Sequence, residues 1–140
     1  YAQVYHDLIE SLPPLARDWP EVPTIDRDEH GQRSGTSLSP MPRVNLSIKL
    51  TGLDPHFDAI DPEGSIRRVS ERLRPLLRQA RRAGAFVNID MESTKHRAIT
   101  LEVFKRMLLE EEFRDWHHVG IVIQAYLTDA EQDLQGFRSL

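Results

Sequence analysis

Three segments of the chain carry the apolar and polar patterning of β-strands. They cover residues 44–50, 85–92 and 119–126. In the first two, apolar side chains alternate with polar ones, so each strand should have one face of each kind. The third segment is apolar almost throughout, which predicts burial on both of its faces.

Apolar residues spaced three or four apart predict helices around these strands. Residues 1–12 form one such pattern, which a Pro-Pro pair should end. Residues 13–42 hold most of the nine prolines, so we expect a long surface loop there, without chemistry of its own. Another helix is expected after the second strand, with Thr100 as its cap, and the tail Thr128–Leu140 should begin a further one.

The longest predicted helix lies between the first two strands. Residues 61–63 (Asp-Pro-Glu) offer a capping side chain, a proline at the first helical position and an acid in the first turn. The apolar stripe runs to about Ala83, and Gly84 stands where a C-terminal glycine belongs. Pro75 should kink the helix or divide it in two. Seven arginines between residues 67 and 82 fall opposite the stripe and predict a solvated outer face rather than a phosphate-binding one.

Strands that alternate with helices indicate an α/β fold with right-handed crossovers and a parallel sheet. The spacing of the three strands fits part of a (β/α)8 barrel, in which about 250 residues serve eight units. We therefore expect a partial (β/α)8 TIM barrel, with three parallel strands and flanking helices, over residues 43–140. An open, doubly wound sheet is the alternative.

Composition excludes several classes of protein. The net charge of −4 over 140 residues gives no general attraction to nucleic acid or to anionic lipid. The chain has no cysteine, which excludes disulfides and thiolate chemistry and favours a reducing compartment. No apolar run approaches the roughly 18–20 residues that cross a bilayer. The chain starts with Tyr1 inside a helical pattern, so we expect it to be a piece of a longer protein.

The candidate chemistry lies at the ends of the predicted strands. The first ends with Lys49, the second with Asp90 and Glu92, and the third with Gln124 and Tyr126. Active sites of (β/α)8 barrels lie at the carboxyl ends of the strands, so these five side chains should meet at one rim. A structural ion pair that fills the barrel interior would explain the same charges without catalysis.

Three short motifs resemble the second, third and fourth strands of the proline dehydrogenase barrel. They are Ser-Ile-Lys-Leu at residues 47–50, Asn-Ile-Asp-Met-Glu at 88–92 and Val-Ile-Gln-Ala-Tyr at 122–126. Their order and spacing are also similar to that family. Residues 112–116 and 127–134 look closest to the bifunctional proline utilisation A enzymes, in which the barrel is fused to a glutamate-semialdehyde dehydrogenase.

The resemblance implies a role for each candidate residue. Lys49 corresponds to a catalytic lysine near the proline carboxylate, and Asp90 to a catalytic aspartate beside the substrate and the flavin. Gln124 corresponds to the glutamine that hydrogen-bonds the flavin ring. Glu92 is implied in substrate binding and Tyr126 in cofactor binding.

The resemblance also implies a reaction. The family uses FAD to move a hydride from C5 of L-proline to the flavin, which yields Δ1-pyrroline-5-carboxylate, and passes the electrons to a quinone. A cytoplasmic protein, peripheral to the inner membrane where quinone is reduced, is then expected. A cofactor that carries the redox step, with a protein that orients and charges the site, agrees with this assignment.

Other functions remain open on the residues alone. Lys49 could form a Schiff base in an aldolase-like barrel, with Asp90 or Glu92 as the acid–base group. An inactive, truncated remnant is a further alternative. Adjacent His117 and His118 lack a third ligand at suitable spacing, so no metal site is expected.

Overall fold

The computed structural model describes residues 2–21 and 41–137 and shows an α/β arrangement in this part of the chain. The helices and strands, in chain order, are α1 (Ala2–Leu15), β1 (Asn45–Ile48), a 3-10 turn (Leu50–Gly52), α2 (Pro62–Ala83), β2 (Phe86–Ile89), α3 (Arg97–Leu109), β3 (Val119–Ile121) and α4 (Ala130–Gln135). The predicted fold class, with three parallel strands and flanking helices, is confirmed. Most of the predicted loop falls on residues 22–40, which lie outside the described residues.

The three strands form a parallel sheet in the order β1-β2-β3. Ser47 pairs with Asn88, and Asn88 pairs with Gly120, so these three lie side by side. Gly120 is closely approached from β2, because a Cβ atom added there would lie 3.1 Å from the Phe86 ring and 3.2 Å from Asn88 Oδ1. The strands are shorter than predicted, since their carboxyl ends turn into loops within one or two residues.

One face of the sheet packs against the helices and forms the core. Leu46 and Ile48 of β1 and Val87 and Ile89 of β2 are buried on this face. The apolar stripe of α2 packs into the same core, with Ile66, Val69, Leu73, Leu76, Leu77 and Ala80 all buried. The predicted burial of the third strand on both faces is wrong: β3 is half-buried along its length, because it is an edge of the sheet in the described part of the chain.

Both predicted ends of α2 are confirmed. The Asp61 carboxylate accepts a hydrogen bond from the Gly64 N–H at 3.0 Å and so caps the first turn. Gly84 has φ of 65°, the left-handed conformation that glycine adopts without steric cost. The helix passes Pro75 as a single element, so the alternative of two segments is wrong, while the kink stays a prediction.

Two other boundaries differ from the sequence prediction. Helix α1 continues through Pro13 and Pro14, and the hydrogen bond from Ala16 N to Leu12 O at 3.1 Å closes a turn beyond them. Thr100 does not cap α3, which begins at Arg97; Thr100 is buried in the first turn and its N–H donates to His96 O. A preceding turn over residues 94–96 brings the chain into helical geometry earlier than the apolar pattern indicates.

The arginines of α2 contact protein more than was predicted. Arg74 holds both carboxylate oxygens of Glu110 at 2.7 Å, and Arg78 holds those of Glu112 at 2.6 and 2.7 Å. Arg81 donates to the Glu112 carbonyl. The outer face of α2 is therefore ion-paired to the connection between α3 and β3, because acidic residues follow α3 at the matching height. No helix within residues 2–21 and 41–137 is both long and apolar enough to cross a bilayer.

A buried aspartate fixes the loop that follows β1. Asp54 is 1% exposed and accepts hydrogen bonds from Arg68 at 2.7 Å, from Arg72 at 3.2 Å and from the His56 N–H at 3.3 Å. Burial alone would raise the pKa of the Asp54 carboxyl. The hydrogen bonds and the two guanidinium charges outweigh burial and hold the pKa below its usual value.

We expect Asp54→Asn to lower the free energy of unfolding at pH 7 by about 1–3 kcal/mol, because it leaves charged donors without their partner. The stabilisation from ionised Asp54 is fully present above the unfolded-state pKa, near 3.8, and is lost as the pH falls through the lower folded-state pKa. The gap between wild type and variant should therefore narrow below about pH 4. Urea unfolding of the full-length protein that carries this chain, at several pH values, measures this gap, with exposed Asp115→Asn as the control. If the difference in the free energy of unfolding between wild type and variant is the same at every pH, the shape of the Asp54 side chain and not its charge stabilises the loop.

Candidate active site

The face of the sheet that points away from the helices carries the predicted site. On β1 this face is exposed, with Asn45 and Ser47 alternating with the buried residues. The pairing continues one step beyond the strands, since Asp90 N donates to Ile48 O at 2.9 Å and Val122 N donates to Ile89 O at 3.0 Å. The next row on the polar face therefore consists of Lys49, Asp90 and Val122. The predicted convergence of Lys49 and Asp90 follows from this register.

Lys49 and Asp90 are neighbours on this face, but they do not neutralise each other. Lys49 is exposed and Asp90 is half-buried. Both residues lie in the described part of the chain, and no ion pair joins them. The Lys49 backbone is held on two sides, because its N–H donates to the Tyr5 hydroxyl at 3.0 Å and its carbonyl accepts from the Gly52 N–H at 3.0 Å. The lysine thus has a fixed backbone, and its ammonium group has no hydrogen-bond or ion-pair partner among the described residues.

Glu92 is bound to the loop after β1. Thr51 donates its backbone N–H to Glu92 Oε1 at 3.1 Å and its hydroxyl to Glu92 Oε2. Both carboxylate oxygens thus have a donor, and the pair is partly buried. Substrate binding by Glu92 stays a prediction.

Gln124 has a polar atom without a partner. Its Nε2 donates to the Met91 carbonyl at 3.2 Å, which fixes the orientation of the amide because a carbonyl can only accept. Its Oε1 is buried and has no hydrogen-bond partner among the described residues. A buried carbonyl oxygen of this kind is a ready acceptor for an N–H of a ligand.

Tyr126 lies beyond the end of the sheet. Strand β3 ends at Ile121, and Tyr126 follows in a turn with 79% of its surface exposed. The prediction of a strand that reaches residue 126 is therefore wrong, because the chain leaves the sheet before Gln124. Cofactor binding by Tyr126 stays a prediction.

Sequence reasoning missed two residues of the site, Val122 and Thr51. Val122 lies in the row of Lys49 and Asp90, two positions before Gln124. Thr51 lies two positions after Lys49 and binds Glu92. Val122 and Thr51 share the alternation that marked Gln124 and Lys49. Neither was identified, because a valine or a threonine beyond a strand does not by itself indicate binding or catalysis.

Contacts between loops complete the rim. Lys95 Nζ lies 3.3 Å from Asp58 Oδ2, and the rings of Phe57 and His96 lie 5.6 Å apart, which joins the loop after β1 to the loop after β2. Arg97 holds both oxygens of Asp133 at 2.6 Å and so ties α4 to the start of α3. The loops that surround Lys49 and Asp90 are therefore linked to one another.

A family model described as proline dehydrogenase matches residues 1–140. The chain belongs to the proline dehydrogenase family. Among its curated relatives, the bifunctional protein PutA of Escherichia coli K12 is 32% identical to this chain over 81 residues. These residues are 58% of this chain and 6% of that protein. The PutA of Klebsiella aerogenes gives the same values. The chain thus spans only a small part of the curated relatives it matches.

Solved structures agree with the family assignment. Proline utilisation A (PutA) from Bdellovibrio bacteriovorus, inactivated by N-propargylglycine, is 37% identical with a TM-score of 0.83, over 99% of this chain and 14% of that one. PutA from Corynebacterium freiburgense is 30% identical with a TM-score of 0.66, over 96% of this chain and 12% of that one. The resemblance to the proline dehydrogenase barrel drawn from the three motifs, and the likeness to proline utilisation A drawn from residues 112–116 and 127–134, are both confirmed.

Proposed function

We propose that this proline dehydrogenase family member takes part in oxidising L-proline to Δ1-pyrroline-5-carboxylate, with FAD as cofactor and a quinone as electron acceptor. One observation carries the proposal: Lys49 and Asp90 lie on neighbouring strands, on one face, without pairing to each other. Within the described residues the Lys49 ammonium has no carboxylate partner, and such a cation beside an anion is complementary to a zwitterionic amino acid.

The two charges suit the two ends of proline. The Lys49 ammonium can bind the substrate carboxylate, which is a strong, directional contact once water is excluded. The Asp90 carboxylate can accept the proton of the substrate amine nitrogen. Loss of that proton makes the nitrogen lone pair available for the double bond to C5. The two residues thus orient proline and set its protonation state.

The residues present fit a flavin. The buried Gln124 Oε1 has no donor within the described part of the chain, and a flavin ring offers an N–H at its pyrimidine edge. Gln124, Asp90 and Tyr126 would hold the cofactor, with the apolar Val122 side chain in the row beside Asp90. When bound, FAD supplies the acceptor for the two electrons that proline loses.

The relatives suggest the context of the reaction. The curated relatives are named as bifunctional proteins, which supports a fused glutamate-semialdehyde dehydrogenase that consumes the product. We place the protein in the cytoplasm, with peripheral contact to the inner membrane, because quinones are dissolved in the bilayer.

Lys49→Ala in a full-length protein that carries this chain should weaken proline binding by about 2–5 kcal/mol, because a desolvated charge partner of the carboxylate is lost. Steady-state kinetics measure this as a raised KM. Lys105→Ala is the matched control, since Lys105 lies on helix α3 and not at the end of a strand. An unchanged KM and kcat for Lys49→Ala would refute the assignment. A Schiff-base aldolase would instead be trapped through Lys49 by borohydride in the presence of its aldehyde or ketone substrate, and it would show no oxidation of proline.

Asp90→Ala should lower turnover more than it lowers stability. The carboxylate lies half-buried on the polar face and outside the apolar core, so its loss removes a proton acceptor and should disturb the packing little. Rate measurements and thermal melts on the same protein samples separate the two effects. Full turnover in the variant would reduce Asp90 to a structural role.

Residues 1–140 expressed alone should bind no FAD tightly, show no proline oxidation and tend to aggregate. In the described part of the chain, β1 and β3 are open sheet edges, which promote association, and three strands do not close a barrel. A visible absorption spectrum and size-exclusion chromatography test this. A yellow, monomeric protein that proline reduces would contradict the prediction.

A further inference from the structure

The contact between Thr51 and Glu92 joins the two strand ends that carry the candidate site. Thr51 follows Lys49 by two residues, and Glu92 follows Asp90 by two residues. The backbone N–H and the hydroxyl of Thr51 each donate to a different oxygen of Glu92. One residue of the first loop thus binds both oxygens of a carboxylate in the second loop.

We propose that Thr51 is a positioning residue, which holds Lys49 beside Asp90 by binding Glu92. The inference rests on the proposed function, since it assigns to Lys49 the carboxylate end of the substrate. Thr51 itself does not touch the substrate in this assignment. It acts through the backbone turn that presents Lys49.

The turn after β1 transmits the constraint. Gly52 N donates to Lys49 O at 3.0 Å, and Leu53 N donates to Leu50 O at 3.0 Å, so residues 49–53 form a tight 3-10 turn. In such a turn Lys49 and Thr51 move together. Fixing Thr51 on the end of β2 therefore fixes the base of the Lys49 side chain relative to Asp90.

The hydrogen bonds between Thr51 and Glu92 are of a strong type. Hydrogen bonds to a carboxylate are roughly twice as strong as those between neutral groups. The pair is partly buried, which shields it from competing water. The Lys49 side chain, in contrast, is long and flexible, so its placement depends on where its backbone is held.

The experiment uses the full-length flavoprotein that carries this chain. Calorimetry measures the affinity for a five-membered ring carboxylic acid with oxygen in place of the amine nitrogen, which cannot be oxidised. Thr51→Val should weaken binding about 10-fold, because small misplacements of a binding group are costly. Thr51→Ser keeps the hydroxyl and should restore binding. Thr94→Val, at an exposed position in the next loop, is the matched control.

Measuring Thr51→Val in a protein that also carries Lys49→Ala distinguishes positioning of Lys49 from a general loss of structure. In Lys49→Ala protein, Thr51→Val should change the affinity less than about 2-fold, because two residues that act through one contact are not additive. A loss of equal size with and without Lys49 would overturn the inference, as would wild-type affinity in Thr51→Val. If the wild type binds neither this acid nor proline, the proposed function fails and the inference fails with it.

Discussion

The parallel pairing of β1 with β2 is the constraint on which the site depends. The register that places Ser47 beside Asn88 also places Lys49 beside Asp90, one row nearer the carboxyl ends. A shift by one residue would turn each polar residue of β1 toward the core and each apolar one away from it. The buried apolar face therefore maintains the register, and the register brings two opposite charges together on the other face.

Ion pairs fix the loops that surround the site. Asp54 anchors the loop after β1 on two arginines of α2, and other arginines of α2 hold the connection that precedes β3. Helix α2 thus contacts the chain on both sides of β2. The contacts of Lys95 with Asp58 and of Phe57 with His96 then join the loop after β1 to the loop after β2. The backbone that carries Lys49 and Asp90 is therefore held from both loops.

The sequence predicted most of the fold because periodicity reports directly on burial. The caps Asp61 and Gly84 were predictable because each satisfies a requirement of the adjacent backbone: Asp61 accepts a hydrogen bond from an N–H of the first turn, and Gly84 adopts a positive φ. The boundaries at Pro13 and Thr100 were not, because hydrogen bonds formed by neighbouring turns decide them. In the site, Lys49 and Asp90 were predictable from alternation and strand ends. The partner of Glu92 was not, since a contact between residues 41 positions apart depends on how the two loops fold.

Gly120 shows how the floor of the site limits what the sheet can accommodate. The ring of Phe86 and the amide of Asn88 occupy the space that a side chain at position 120 would need. Both belong to the strand that ends in Asp90. A side chain at position 120 would therefore require the Phe86 ring and the Asn88 amide to shift by a few tenths of an ångström. A glycine at this position leaves room for both side chains in the row of Ser47, Asn88 and Gly120, so the space under the two charged residues is filled from β2 rather than from β3.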